Sequence, residues 1–219
     1  MTDDQSRPLV RMFTMAEQAL VVGSTGTANL ALGTQIWSGR ELPPQPPKEH
    51  PIYNHIGRIS AAWSHVDHLL DILIWQLADV DAQAGACITA QISGTFGRFR
   101  AVIALLQYHQ QRTNKPLATL IKRATELSGK SNGPAEGRHR AIHDPWYQYK
   151  VPASDTAPAA PAIDTAQFRS MPHKDPRYGI APVDEAALEK NLADIREFTA
   201  EVEEFRKRIL DALVTDTKT

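Results

Sequence analysis

The sequence predicts an all-α protein, an antiparallel helical bundle with a short irregular or hairpin insertion before the last helix. Three observations favour this class. Apolar residues recur at steps of three and four over long stretches of the chain. Short groups of glycine, asparagine and proline separate these stretches. Hydrophobic residues make up 42% of the 219 residues, which is enough for one sizeable core.

Two long apolar stripes predict the first and the last helix. The first stripe begins near Pro51, and the second follows Asp184, whose side chain is a good N-cap. Polar residues surround both stripes, as expected for helices that turn one side to a core. The stripes contain Ile56, Ile59, Trp63, Val66, Leu70, Leu73 and Leu77 in the first, and Leu188, Leu192, Ile195, Phe198, Val202, Phe205 and Ile209 in the second.

Shorter helices are predicted between these two. Asp81 is expected to cap one of them, and another continues from Phe99 to about Arg112. Pro116 is expected at the start of a further helix, because proline is favoured in the first helical position. The last of the short helices covers about 134–143.

The chain is predicted to consist of an N-terminal tail, residues 1–50, and a helical domain, residues 51–215. The tail holds one short helix over 9–22 and ends in a proline-rich linker. The domain includes a proline-rich insertion over 146–182, where we expect a loop with a small hairpin. In that hairpin the first residues of the insertion pair with roughly 167–171.

Composition and charge exclude several classes of protein. A net charge of −1 excludes a wholly basic nucleic-acid coat. Cys87 is the single cysteine, so an internal disulfide is excluded, and a reducing cytoplasm is the expected location. No apolar run reaches the roughly 18 residues that a membrane helix needs. The first residues, MTDDQSR, are acidic and do not resemble a secretory signal.

One segment carries more polar chemistry than the packing of a bundle requires. Between Arg138 and His143 the chain places two arginines and two histidines within six residues. These two terminal positions are separated by roughly 140° around an ideal helix. The helix should nevertheless end at His143, because Asp144 precedes Pro145 and a residue before proline is pushed out of the α region. We therefore expect the histidine to swing back toward the arginine.

An arginine beside a titratable imidazole suits the cleavage of a phosphodiester. The planar guanidinium of Arg138 matches phosphate oxygens and can stabilise charge in the transition state. The imidazole of His143 can take a proton from a ribose 2′-hydroxyl or give one to the leaving oxygen. This chemistry needs neither a metal nor a cofactor.

The same segment resembles the Arg-x4–6-His signature of the HEPN superfamily, in which a polar residue, here His139, often follows the arginine. The stretch Trp63-Ser-His-Val-Asp67-His-Leu-Leu resembles the first long helix of that family. The likeness covers roughly 52–148 and, more loosely, 184–213.

This resemblance implies a metal-independent endoribonuclease. It implies that Arg138 and His143 form the catalytic pair and that His139 is the adjacent polar position. Many members are homodimers that bring two Arg/His pairs into one cleft, so a homodimer is expected. A toxin or defence nuclease, with an antitoxin or another protein partner, is one form that such an enzyme takes.

The distribution of charge also favours a polyanionic substrate such as RNA. Residues 95–150 contain ten basic and three acidic residues, a net charge of +7, and the rest of the chain contains 14 basic and 22 acidic residues, a net charge of −8. The alternative is that these are ordinary solvated helix faces. The residues expected to contribute to binding are Arg140, Asp67, Trp146, Lys122 and Arg123.

Two of these residues have a second interpretation. Asp67 is expected to pair with Arg138 or Arg140 and to orient it, or else to be an exposed charge on the first helix. Trp146, with the two tyrosines that follow it, can stack on bases or can pack the hairpin onto the bundle.

Two other interpretations of this sequence remain open. Glu136, His139 and His143 lie on one helical face and could hold zinc, and His65 with His68 is a weaker metal candidate. We predict no metal site, because no second cluster completes a ligand shell. The second reading is a non-catalytic HEPN-like module that binds a nucleotide, RNA or a protein partner, since one fold hosts many functions.

Overall fold

The computed structural model describes residues 35–36, 44–148, 165–171 and 177–214. Helices dominate this part of the chain, so the prediction of an all-α bundle is confirmed. None of the described helices is long and apolar enough to cross a membrane. The helices are α1 (Ile52–Ala78), α2 (Ala82–Thr89), α3 (Gly94–Thr113), α4 (Ala118–Lys130), α5 (Asn132–His143) and α6 (Glu185–Val214).

Both predicted stripes form the core. On α6 all seven stripe residues are buried, and on α1 all are buried except Ile56, which is half-buried. Phe198 joins three helices, because its ring stacks 6.2 Å from that of Trp63 on α1 and lies 6.3 Å from that of Phe99 on α3. Removing such a buried aromatic ring costs about 3–5 kcal/mol in the free energy of unfolding.

The cap residues act as the sequence predicts. The Asp81 carboxylate accepts hydrogen bonds from the backbone N–H groups of Gln83 (2.8 Å) and Ala84 (2.9 Å) at the start of α2. The Asp184 carboxylate accepts from the backbone N–H of Ala187 (2.8 Å) at the start of α6. These bonds satisfy donors that the first turn of a helix leaves without intrahelical partners.

The helices of the bundle do not simply alternate in direction. Side-chain contacts join Arg58 to Glu189 near the start of both α1 and α6, and Gln76 to Arg206 near their ends, so these two helices run the same way. The reason is α2, which carries the chain back along α1. As a result α3 begins beside Asp67, in the middle of α1, rather than at its end. The spacing of apolar residues does not specify that the chain turns back along α1 in this way.

A small antiparallel sheet adjoins the last turn of α5, to which Trp146 and Gln167 donate hydrogen bonds. It contains β1 (Gln35–Ile36), β2 (Trp146–Gln148), β3 (Thr165–Met171) and β4 (Arg177–Pro182), in the order β1-β4-β3-β2. The expected pairing of 146–151 with roughly 167–171 is present but shifted, since Trp146 lies opposite Gln167 and Gln148 opposite Thr165.

The tail takes part in this sheet at two places. Its strand β1 pairs with β4, and the carbonyl of Pro44 accepts a hydrogen bond from the backbone N–H of Gln148 (2.8 Å) on β2. The proline-rich linker is therefore attached to the helical domain near its start. The short helix predicted over 9–22 lies outside the described residues.

Ion pairs attach α4 to α6. The Arg123 guanidinium lies 2.9 Å from the Glu201 carboxylate, and the Lys130 ammonium contacts Glu201 and Glu197. The hydrogen bond from Lys130 holds the pKa of the Glu201 carboxyl below its usual range. The same bond raises the pKa of Lys130.

Replacing Glu201 by glutamine should destabilise the protein in a pH-dependent way. Because the pKa of Glu201 is lowered by folding, its contribution is present above the ordinary glutamate pKa of about 4.3 and is lost as the pH falls through the folded value. The melting temperature of Glu201→Gln should thus lie below that of the wild type at about pH 7, and the difference should shrink toward about pH 3.5. Glu204→Gln is the control, since Glu204 is exposed and pairs only locally with Arg208. An equal difference at both pH values for Glu201→Gln would contradict the argument.

Candidate active site

An open cleft of about 550 Å³ lies between α1, the start of α3 and α5. Helix α1 contributes Trp63 and Asp67, and α3 contributes Thr95 and Phe96. The polar side chains from α5 that reach it include Arg138 and His139. Two of the three residues predicted to be catalytic therefore line one opening.

Helix α5 is held in place at both ends and in its middle. It follows α4 after only Ser131, which is buried and whose hydroxyl donates to the carbonyl of Ser128 (2.7 Å). It ends at His143, as the sequence predicts, and Asp144 has an extended backbone (φ −74°, ψ 131°) before the proline. In the middle, Gly137 lies against the side chain of Asn191 on α6.

Arg138 is the most unusual group in the cleft. Its Nε is buried, and no hydrogen-bond partner for it is present among the described residues. A buried N–H without a partner costs about 1–3 kcal/mol, and more for a charged group. The side chain as a whole is half-buried and lines the cleft, and no ion pair holds its guanidinium among the described residues, so this cation is suited to binding an anion there.

His139 and His143 form a contacting pair on one face of α5. Their ring centroids are 4.6 Å apart with planes inclined at 45°. Both residues are exposed, but His139 lines the cleft and His143 is not among the cleft-lining residues. The expectation that His143 swings back toward Arg138 is therefore wrong. Because α5 stays regular to its last residue, His143 lies one turn beyond His139 and contacts that ring instead of the cleft.

Asp67 does not make the contact that the sequence suggests. Its carboxylate accepts a hydrogen bond from the Thr95 hydroxyl (2.7 Å), and it shares the cleft with Arg138 without an ion pair to it. Arg140 pairs instead with Glu136 (2.6 Å) and lies 3.6 Å from Asp144, both of them within α5 or at its end. Spacing on one helix brings Arg140 closer to these local carboxylates than to α1.

Trp146 packs the sheet onto the bundle, which is the second of the interpretations given for it. Its side chain is 8% exposed, and its indole N–H donates to the carbonyl of Ala141 (2.9 Å). Tyr147 is equally buried. The assignment of Trp146 to base binding is wrong, because the ring has no free face of the kind that stacking needs. Tyr149 lies outside the described residues.

The other predicted binding residues lie on α4, outside the cleft. Arg123 pairs with Glu126 and Glu201, and Lys122 is exposed. Further basic residues of the 95–150 segment also pair with acidic helices, as Arg98 does with Asp71 and Lys130 with Glu201. Much of the charge difference along the sequence therefore serves contacts within the molecule, which weakens it as an argument for a polyanion.

In the part of the chain that the structure describes, no group of three or more histidine, cysteine or acidic residues is arranged to hold a metal ion. The alternative of a zinc site on α5 has lost one of its three ligands, because the carboxylate of Glu136 is bound by Arg140.

Thr95 and Phe96 are cleft residues that sequence reasoning missed. Gly94 begins α3 with a positive φ of 65°, and the two residues that follow it line the cleft. The sequence carries no signal for this placement, because Phe96 lies three positions before Phe99 and so falls at the spacing of a core stripe.

Comparisons of the chain with protein-family models, with curated proteins and with solved structures gave no match.

The contact between Gly137 and α6 predicts that adding one methyl group at position 137 affects the stability of the protein. A Cβ at position 137 would lie 2.5 Å from Oδ1 of Asn191, so this amide must move, and Gly137→Ala should have a free energy of unfolding about 1 kcal/mol below that of the matched variant Gly129→Ala. Gly129→Ala on α4 is the matched control, because open space surrounds that position and alanine favours a helix. The measurement is the urea midpoint of both variants.

The double variant Gly137→Ala with Asn191→Ala separates the clash from other causes. Since the second change removes the obstructing amide, the double variant should be more stable than expected from the sum of the single changes. Additive effects would show that Asn191 does not hold α5 at this distance.

Proposed function

We propose that this protein is a metal-independent endoribonuclease that cleaves RNA phosphodiesters by acid–base chemistry on α5. One observation carries the proposal. Arg138, with its buried and unpartnered Nε, lies in an open cleft next to His139, whose ring contacts the exposed ring of His143. A cation that lacks a partner and two adjacent imidazoles are the groups that transesterification of RNA uses. The resemblance to the HEPN superfamily supports the same class of reaction.

Each side chain has a role in the proposed step. The Arg138 guanidinium binds the non-bridging oxygens of the scissile phosphate and stabilises the charge that develops on them. The His139 imidazole, inside the cleft, takes the proton of the ribose 2′-hydroxyl as its oxygen attacks phosphorus. The P–O5′ bond breaks, and His143 as imidazolium gives a proton to the leaving oxygen. The products are a 2′,3′-cyclic phosphate and a free 5′-hydroxyl.

The proposed partners follow from this reaction. The substrate is RNA, and neither a metal nor a cofactor takes part. One chain supplies both imidazoles, and a homodimer with two α5 helices side by side would bring a second set to the same strand. An antitoxin or other protein that covers the cleft would block the enzyme. The single cysteine favours the cytoplasm as its location.

A second function is a non-catalytic module that binds a nucleotide or RNA in the same cleft. The position of His143 outside the cleft favours it, because a proton donor must approach the leaving oxygen closely. The two functions differ in one measurable property, which is whether bound RNA is cut.

Three single variants test the enzyme in the presence of EDTA. His139→Ala and His143→Ala should each reduce the rate of RNA cleavage by about 10²–10⁴-fold, because each removes a proton-transfer group. Arg138→Ala should reduce it by about 10²–10³-fold. His65→Ala and Arg208→Ala are matched controls, since both side chains are exposed and lie outside the cleft. The measurement is the initial rate with an end-labelled RNA.

Product analysis makes the test specific for the mechanism. A 2′,3′-cyclic phosphate terminus and loss of cleavage when the scissile 2′-hydroxyl is replaced by hydrogen are the expected results. Cleavage that survives all three alanine variants would show a contaminating nuclease or another site. A wild-type protein that binds RNA without cutting it would favour the module.

A further inference from the structure

We propose that the cleft also contains a base-recognition subsite that selects guanine, formed by Asp67, Thr95 and Phe96. This inference rests on the proposed function, because it takes RNA as the ligand of the cleft. It assigns residues that the transesterification chemistry does not use.

The first observation is a carboxylate without a cation. Asp71, one turn along α1, pairs with Arg98 at 2.7 Å and forms a second bond at 3.3 Å. Asp67 has no cationic partner among the described residues and accepts a hydrogen bond only from Thr95. A bare carboxylate in a cleft that binds phosphate repels the ligand backbone, so it needs a favourable contact with another part of the ligand.

The second observation is that this carboxylate is held in one orientation. The Thr95 hydroxyl, on a buried residue in the first turn of α3, donates to Oδ1 of Asp67 (2.7 Å). The positive end of the α3 dipole favours a negative charge at this position. An ionised carboxylate only accepts hydrogen bonds, and its two oxygens offer about four lone-pair sites. One bond from Thr95 therefore leaves both oxygens able to accept from a ligand.

Guanine is the base that matches a pair of acceptors. Its Watson–Crick edge carries two adjacent donors, the ring N1–H and the exocyclic amino group. Adenine and cytosine each place one donor beside a ring nitrogen that accepts, and that nitrogen would face a carboxylate lone pair. Uracil places its single N–H between two carbonyl oxygens. The carboxylate of Asp67 can thus accept two parallel hydrogen bonds from guanine alone.

The third observation is an exposed aromatic ring at the edge of the cleft. Phe96 is 61% exposed although it is a large apolar residue, and it lies next to Thr95. Single-stranded RNA is commonly bound by stacking of unpaired bases on such rings. The cleft volume of about 550 Å³ falls in the range of pockets that take small ligands. A base stacked on Phe96 with its edge on Asp67 keeps its phosphate in the cleft that contains Arg138.

The first experiment compares cleavage of four RNA substrates by the full chain. They are oligouridine and three oligouridines that carry one central guanosine, adenosine or cytidine. The wild type should cut at guanosine at least about tenfold faster than at the other bases, which is the discrimination expected of a bidentate contact. Asp67→Asn should lose this preference and turn it toward adenosine and cytidine, because an amide offers one acceptor and one donor. Asp194→Asn, the same change on the surface of α6, should leave the preference unchanged.

The second experiment measures binding and does not depend on catalysis. Guanosine 5′-monophosphate should bind the wild type about tenfold more tightly than adenosine 5′-monophosphate by titration calorimetry. Phe96→Ala should weaken binding of both nucleotides about fivefold or more by removing the stacking surface. Since Phe96 is exposed, this variant should melt at the wild-type temperature.

The outcomes separate the two proposals. Equal cleavage at all four bases, or equal affinity for the two nucleotides, would overturn the guanine subsite and leave the nuclease intact. Absence of cleavage with a guanine preference in binding would overturn the nuclease and support the subsite. A guanine preference that persists in Asp67→Asn would overturn the role of Asp67.

Discussion

The position of α5 is the constraint on which the site depends. Glycine at 137 allows this helix to lie against Asn191 of α6, and its neighbours Arg138 and His139 are thereby turned toward α1. A larger residue at 137 would require a shift of either the helix or the amide. Because Ser131 joins α5 directly to α4 and Pro145 ends it, the helix has little freedom to shift along its axis. Close packing at this glycine thus helps to hold Arg138 and His139 where they line the cleft.

Charge in this molecule serves two purposes. The pairs of Arg98 with Asp71 and of Arg123 and Lys130 with Glu201 attach the central helices to α1 and α6. Such pairing requires a positively charged stretch of the chain between two negatively charged stretches. Three charged residues line the cleft. Glu136 is paired with Arg140, whereas Arg138 and Asp67 are paired neither with each other nor with a described neighbour of opposite sign. Unpaired charges of both signs in one opening suit a ligand that presents an anion and hydrogen-bond donors together.

Much of the fold could be predicted because local physics determines it. The apolar stripes place the core residues of α1 and α6 correctly, and Asp81, Asp184 and Pro145 mark helix ends through backbone effects that act over a few residues. The parallel direction of α1 and α6 could not be predicted, because it follows from the course of α2 in space. The same holds for β1, since a two-residue strand is stabilised only by the neighbour that it meets.

The site was predictable to the extent that it lies on one helix. The density of Arg138, His139 and His143 within α5 is visible in the sequence, and helical spacing brings the two imidazoles together without any help from the rest of the fold. Thr95 and Phe96 come from another helix, so only the folded chain places them beside Asp67. This division has a consequence for the proposed chemistry. The groups assigned to proton transfer are fixed by local structure, whereas the groups assigned to base recognition are fixed by packing. Changes in the packing of α3 against α1 would therefore alter which RNA is chosen before they alter whether it is cut.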